Sequence, residues 1–132
     1  MISYFWVALG GALGSMARYG FSGAVAHLTG GNFPYGTMFV NVTGGLLIGF
    51  LASLSAADSQ FFIPASARLF LMTGICGGYT TFSTFSLESF NLIRSGEALA
   101  ALANMLLSVA LCVIAVWLGF AGAEVLGRIK GA

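Results

Sequence analysis

Residues 74–86 read GICGGYTTFSTFS, and this stretch decides how the chain is expected to fold. It contains three glycines and five serine or threonine residues. Glycine and threonine are weak helix formers, so a continuous helix through residues 77–81 is unfavourable. We therefore predict a helix break between Gly77 and Thr81. The alternative is an unbroken helix whose glycines form a packing face.

The chain as a whole is too apolar for a water-soluble domain. Hydrophobic residues make up 58% of the 132 residues, charged residues make up 7%, and the mean hydropathy is +0.96. Soluble domains carry roughly 25% charged residues. The chain is long enough for four membrane spans of about 20 residues each. The short loops left over exclude a separate catalytic domain, and a net charge of +1 gives no basis for binding nucleic acid.

Hydropathy predicts one all-α domain over residues 1–132 with four transmembrane helices. Their expected bounds are about residues 2–26, 36–57, 65–93 and 98–122, with Gly, Pro, Asn and charged residues between them. The first apolar segment lacks the basic start of a signal peptide, so we interpret it as a retained helix. Glycines four residues apart predict helices that pack with their backbones close together. These pairs are Gly10/Gly14, Gly45/Gly49 and Gly74/Gly78.

Polar side chains inside the predicted spans are candidate functional groups, because their placement in hydrocarbon is costly. Thr37 and Asn41 share one face of the second helix, and Asn104, Ser108 and Cys112 share one face of the fourth. Each set can form hydrogen bonds between helices or line a permeation path, and the sequence leaves both readings open. Irregular backbone at membrane depth persists only where it is buried in protein or lines a cavity.

The residues that follow the expected break add an aromatic pair. Phe82 and Phe85 lie three apart, one above the other on a helix, with Ser83 between them. Such a pair is usually core or lipid contact. The positive edge of each ring can also attract an anion in a narrow pore, without a fixed charge that would hold the ion too tightly. Arg18 and Glu88 are ionisable residues in the predicted spans. Arg18 can extend to the membrane interface or form an ion pair with Glu88. Glu88 can also lie at a pore mouth, and the sequence leaves these alternatives open.

Several motifs together resemble the signature of the Fluc fluoride channels, also called CrcB proteins. They are GTMFVNVTG at residues 36–44, GICGGYTTFSTFS at 74–86, GGALG at 10–14, Arg18-Tyr19 and Trp117-Leu118-Gly119. The resemblance covers the whole chain. It implies a fluoride-selective channel that exports fluoride passively and so lowers its concentration and toxicity in the cell.

The resemblance also implies an assembly and its ion sites. Family members are four-helix subunits of the bacterial inner membrane that form antiparallel, dual-topology homodimers, so the partners are fluoride, membrane lipid and a second copy. A structural sodium ion lies at the dimer centre, held by backbone carbonyls of the broken third helix. Those carbonyls match Gly77 and Thr80 here. The fluoride pore residues implied by the match are Phe82, Phe85, Asn41, Ser83, Thr37, Ser108, Asn104 and Glu88.

The fourth helix departs from the family pattern, which often carries a tyrosine and two serines there. This chain has Asn104, Ser108 and Cys112, and no pore-facing role is predicted for Cys112. Orientation is also weakly encoded. With a cytoplasmic N-terminus, three Lys/Arg residues lie on that side and two on the other, which leaves both a single orientation and dual topology open.

Two other classes of function fit parts of the sequence. A small proton-coupled exporter has the same length and helix count, but it needs a carboxylate in the first helix, which carries Arg18 and no Asp or Glu. A structural membrane subunit explains the glycine faces but not the break. An enzyme is not expected, because the single histidine, His27, is predicted to lie in a loop and no nucleophile is paired with a base.

Overall fold

A computed structural model describes residues 1–56, 59 and 61–131 of the chain. These residues form helices and no strands, which confirms the all-α prediction for the described part. The helices are α1 (Ile2–Thr29), α2 (Tyr35–Leu54), α3 (Ala65–Arg68), a π-helical segment (Leu69–Cys76), α4 (Gly77–Tyr79), α5 (Phe82–Arg94) and α6 (Ala98–Gly131).

The surface of the bundle is apolar. Two helices, Tyr35–Leu54 and Ala98–Lys130, are long and apolar enough to cross a bilayer. Within their most apolar 18-residue stretches, 44% and 22% are buried, respectively. Much of each helix therefore faces outward, and α6 exposes large side chains such as Leu106, Val113 and Trp117. An apolar surface of this extent is unfavourable in water, which indicates an integral membrane protein.

Two helices are longer than hydropathy predicts. Helix α1 reaches Thr29 and ends at Gly30, whose φ of 78° is the left-handed conformation that glycine adopts most readily. Helix α6 continues to Gly131 instead of ending near residue 122, because hydropathy marks where the apolar run stops and not where the backbone leaves the helix. The last described helical residue of α2 is Leu54. The predicted end of that helix at residue 57, with Asp58 and Gln60, lies outside the described residues.

The segment predicted as one helix over residues 65–93 has three kinds of backbone. Its first part includes a π-helix, in which each amide bonds five residues back; no pattern in the sequence indicated it. The helix then ends at Tyr79, and Thr80 (φ −85°, ψ 158°) and Thr81 (φ −152°, ψ 118°) are extended. Helix α5 begins at Phe82. The extended pair Thr80–Thr81 is called the break below.

Glycines allow the helix backbones to touch, as the spacing predicted. A Cβ atom on Gly10 or Gly14 would collide with carbonyls of the π-helical segment, and one on Gly49 would collide with the Val116 carbonyl of α6. The other three glycines of the pairs also face the backbone of a neighbouring helix. The prediction of close helix packing is therefore confirmed for all three pairs, and this packing holds α1 against residues 69–79 and α2 against α6.

Candidate functional site

A groove of about 320 Å³ lies between α2, the 69–81 segment, α5 and α6. It contains six of the ten residues predicted for the ion sites: Asn41, Gly77, Thr80, Phe82, Phe85 and Ser108. The other lining residues are Gly44, Gly45, Ile48, Met72, Cys76, Thr81, Val109 and Cys112. We call this cavity the groove. Positions far apart in the sequence are thus brought together beside the break.

Asn41 contacts the break through both ends of its amide. Its Nδ2 donates to the Thr81 carbonyl oxygen at 2.9 Å, and its Oδ1 accepts from the Thr81 backbone N–H at 2.7 Å. Interrupting a helix leaves backbone groups without their usual partners. The Asn41 side chain supplies partners for both groups of this residue. One further N–H of the amide is not used in these two bonds.

The two threonines of the break close the helix ends on either side. The Thr80 hydroxyl donates to the Cys76 carbonyl at 2.9 Å, where the Thr80 N–H also donates at 3.0 Å. The Thr81 hydroxyl accepts from the Thr84 N–H at 3.2 Å, which caps the N-terminus of α5. Thr81 was predicted only as part of the helix break and not as a cap. The available signal was a threonine directly before the helical stretch that follows, since threonine is a favoured N-cap.

The predicted aromatic pair lies along one side of the groove. The centroids of the Phe82 and Phe85 rings are 5.3 Å apart, with an angle of 50° between their planes. Phe85 is buried, whereas the Phe82 side chain is 77% exposed. Phe82 is therefore held by little packing within one copy of the chain, and Ser83 beside it is exposed outside the groove.

Thr37 and Glu88 meet each other away from the groove. The Thr37 hydroxyl donates to Glu88 Oε1 at 2.8 Å, and the other carboxylate oxygen is buried with no hydrogen-bond partner among the described residues. Arg18 lines a separate cavity of about 390 Å³ beside Thr37 and Thr81. The partner that Glu88 has in the structure is thus Thr37, not Arg18.

Asn104 lies behind the groove. Its side chain is 1% exposed; Nδ2 donates to Ser89 Oγ at 2.9 Å, and Oδ1 accepts from the Ser108 hydroxyl at 3.2 Å. Ser89 donates in turn to the Phe85 carbonyl at 2.8 Å. Asn104 therefore links α6 to α5, and its amide is used within the protein. Cys112, which was left out of the predicted pore, does line the groove as a free thiol.

Replacing Asn104 with alanine is expected to lower the free energy of unfolding by about 1 to 3 kcal/mol, because the buried Ser108 hydroxyl loses its acceptor and Ser89 Oγ loses its donor. The measurement is a denaturation curve of the purified protein in detergent. Asn91→Ala is the matched control, since Asn91 is exposed on α5. The double variant with Ser89→Ala should show a coupling of about 0.6 kcal/mol. Equal stability of Asn104→Ala and Asn91→Ala would contradict the network.

Gly77 and Thr80, the two residues whose carbonyls were predicted to hold sodium, both line the groove where helix α4 ends. Helix α4 stops at Tyr79, and the last carbonyls of a helix have no intrahelical partner and carry the negative end of its dipole. Oxygen atoms are the ligands that hard cations prefer. Gly77 is exposed and Thr80 is partly exposed.

Comparison with known proteins identifies the family. The sequence profile of the family described as CrcB-like protein, Camphor Resistance (CrcB), matches residues 5–120. Three relatives are each named fluoride-specific ion channel FluC. The protein from Methylocella silvestris is 50% identical to this chain over 99% of this chain and 100% of the relative. Those from Rhodospirillum rubrum (49% identical, over 96% and 98%) and Opitutus terrae (48% identical, over 99% of each) are similar to the same extent. The matched region includes all the residues of the groove, and the resemblance inferred from the motifs is confirmed. The chain belongs to the CrcB-like protein family.

Proposed function

We propose that the chain is a fluoride-selective channel that lets fluoride leave the cell passively and so limits its toxicity. The observation that carries this proposal is the groove, where Asn41, Ser108 and the Phe82–Phe85 pair lie together. The relatives with which it shares about half its residues over nearly their full length are named fluoride-specific ion channels. Those names also favour a channel over an exporter and agree with the expectation that the chain is not an enzyme.

The chemistry of the groove suits a small anion. An anion that loses water needs replacement donors, and Asn41 N–H, the Ser108 hydroxyl and the positive ring edges of Phe82 and Phe85 are of that kind. None of the four carries a fixed charge, so binding stays weak enough for release. Thr37, Glu88 and Ser83 continue this set of polar groups beyond the groove, and Asn104 orients Ser108 from behind it.

The membrane potential is sufficient to drive export. A potential of about 100 mV, negative inside, is equivalent to roughly 2.3 kcal/mol for one charge. Because about 1.36 kcal/mol corresponds to a tenfold ratio, the internal fluoride concentration at equilibrium is roughly fiftyfold below the external one. A passive path therefore suffices, and no proton-exchanging carboxylate is required.

The proposal includes an assembly. The functional unit is an antiparallel, dual-topology homodimer, multi-pass in the bacterial inner membrane, in which a second copy covers the open side of the groove. The 77% exposure of the Phe82 ring supports a partner there. A sodium ion held by the carbonyls of Gly77 and Thr80 would supply positive charge between the two copies, and lipid covers the remaining apolar surface.

The test is fluoride efflux from liposomes that contain the purified wild-type protein, read with a fluoride electrode. We expect fast efflux of fluoride driven by a potassium gradient with valinomycin, and no efflux of chloride under the same conditions. Fluoride movement that requires a proton gradient would point instead to the exporter. No movement of fluoride from folded protein would favour the structural subunit.

A further inference from the structure

The amide of Asn41 does more than face the groove, because it is bonded at both ends to one residue of the break. We infer that Asn41 is a positioning residue, which holds Thr81 so that the Thr80 carbonyl and the Phe82 ring are placed together. This inference rests on the proposed function and deepens it. It connects the fluoride path to the proposed sodium site through a single side chain.

The backbone of Thr81 needs hydrogen-bond partners from within the protein. Thr81 is extended and 7% exposed, so its backbone N–H and C=O cannot rely on water. An unpaired backbone group inside a membrane costs several kcal/mol. Asn41 accepts from one group at 2.7 Å and donates to the other at 2.9 Å. It thereby replaces the neighbouring strand that would normally pair with an extended residue.

The position of Thr81 in the chain couples the groups on either side of it. It lies directly between Thr80, whose carbonyl is proposed for the cation, and Phe82, whose ring lines the groove. Rotation about the Thr81 backbone would swing these two groups relative to each other. Two hydrogen bonds to one rigid amide fix both ends of this residue, so they fix the direction in which α5 leaves the break.

Helix α2 makes a second contact with the break, one turn after Asn41. A Cβ atom on Gly44 would collide with Thr80 Cγ2 and would approach Tyr79 Cδ1 to 3.1 Å. Helix α2 therefore touches Thr80 through Gly44 and Thr81 through Asn41. This contact offers an independent way to disturb the break without altering the amide.

The experiment measures the break directly in the full-length protein in lipid nanodiscs. The rate of hydrogen exchange at the Thr81 amide is compared for wild type, Asn41→Leu and Ser108→Ala. A second measurement on the same three proteins is the rise in melting temperature when NaCl replaces N-methylglucamine chloride. Ser108 is the matched control because it lines the groove but bonds to Asn104, not to the break.

With Asn41→Leu we expect Thr81 exchange to be faster by about tenfold or more, since two hydrogen bonds are lost, and the sodium-dependent rise in melting temperature to disappear. With Ser108→Ala we expect slower fluoride efflux but wild-type exchange and a wild-type sodium response. If Asn41→Leu stops efflux yet keeps both the protection of Thr81 and the sodium response, the inference is wrong and Asn41 acts on the anion alone.

A second pair of variants covers the case in which Asn41→Leu does not fold. Gly44→Ala should weaken Thr81 protection, and Gly44→Ala with Thr80→Ser should restore much of it, because serine lacks the colliding Cγ2 and keeps the hydroxyl. The variant Asn41→Ala, which removes both hydrogen bonds to Thr81 with a smaller side chain than leucine, then tests the amide itself, and wild-type Thr81 protection in Asn41→Ala would overturn the inference. The proposed function is tested separately: wild-type protein without fluoride efflux refutes the channel, whereas Thr81 exchange decides the role of Asn41.

Discussion

Fluoride efflux is expected to fall by at least about 30-fold when Phe82 is replaced with isoleucine, a factor equal to roughly 2 kcal/mol. That is the scale of a desolvated cation over a ring face, and we expect a similar scale for an anion at the positive ring edge. Isoleucine keeps an apolar side chain at this position but has no ring edge. Because the Phe82 side chain is 77% exposed in one copy, the substitution removes little packing from the subunit.

The assay is the liposome efflux measurement, with the unfolding midpoint recorded alongside. Phe90→Ile is the matched control, since Phe90 is an exposed phenylalanine on the same helix, α5, and lies outside the groove. We expect this variant to conduct as the wild type does. If Phe82→Ile shows wild-type efflux, the Phe82 ring does not contribute to the fluoride path. Equal losses of efflux in both variants would indicate a general disturbance of α5.

Stability should fall most when a methyl group is added to Gly119. A Cβ atom there would collide with the Leu46 carbonyl oxygen and lie 2.9 Å from the Phe50 backbone nitrogen. Overpacking usually costs about 1 to 3 kcal/mol, and backbone atoms cannot rotate away as a side chain can. We therefore expect Gly119→Ala to lower the free energy of unfolding by about 3 kcal/mol.

Gly122→Ala is the matched control for this substitution. Gly122 lies one turn later on α6, and a Cβ atom there would meet nothing within 4 Å. Alanine has the higher helix propensity, so stability should be unchanged or raised by up to about 1 kcal/mol. The measurement is denaturation in detergent for both variants. Similar midpoints for Gly119→Ala and Gly122→Ala would mean that α2 and α6 are not in backbone contact.

The sequence predicted the elements of this fold better than their geometry. Apolar runs and glycine spacing indicated the helices and their close packing, because both depend on patterns within one helix. The π-helical segment was not predicted, since it depends on how residues 69–76 fit against α1. The continuation of α6 to Gly131 was also missed, because its charged end is helical but no longer apolar.

Six of the ten residues predicted for the ion sites line one groove, whereas their hydrogen bonds could not be predicted. The motif around Asn41 and Phe82 selected residues that do line one groove. It could not indicate that Asn41 bonds to Thr81, nor that Asn104 lies behind Ser108, because those contacts depend on how separate helices are rotated against one another. Cys112 lines the groove although its thiol is a poor match to the family's usual hydroxyl.

The length of α6 has a consequence for how the protein lies in its membrane. Its 34 residues extend about 51 Å at 1.5 Å per residue, whereas the hydrocarbon core is about 30 Å thick. The helix is therefore about 21 Å longer than the hydrocarbon core. Because its C-terminal end carries Glu124, Arg128 and Lys130, we expect the excess length to lie in the headgroup region and in the water beyond it. Lys130 lies 4.7 Å above the Phe61 ring, so this end is also tied to the connection before α3. We expect a thicker or thinner bilayer to change the depth of this C-terminal end, which is about four turns longer than the core requires, while the glycine contacts between the helices stay in place.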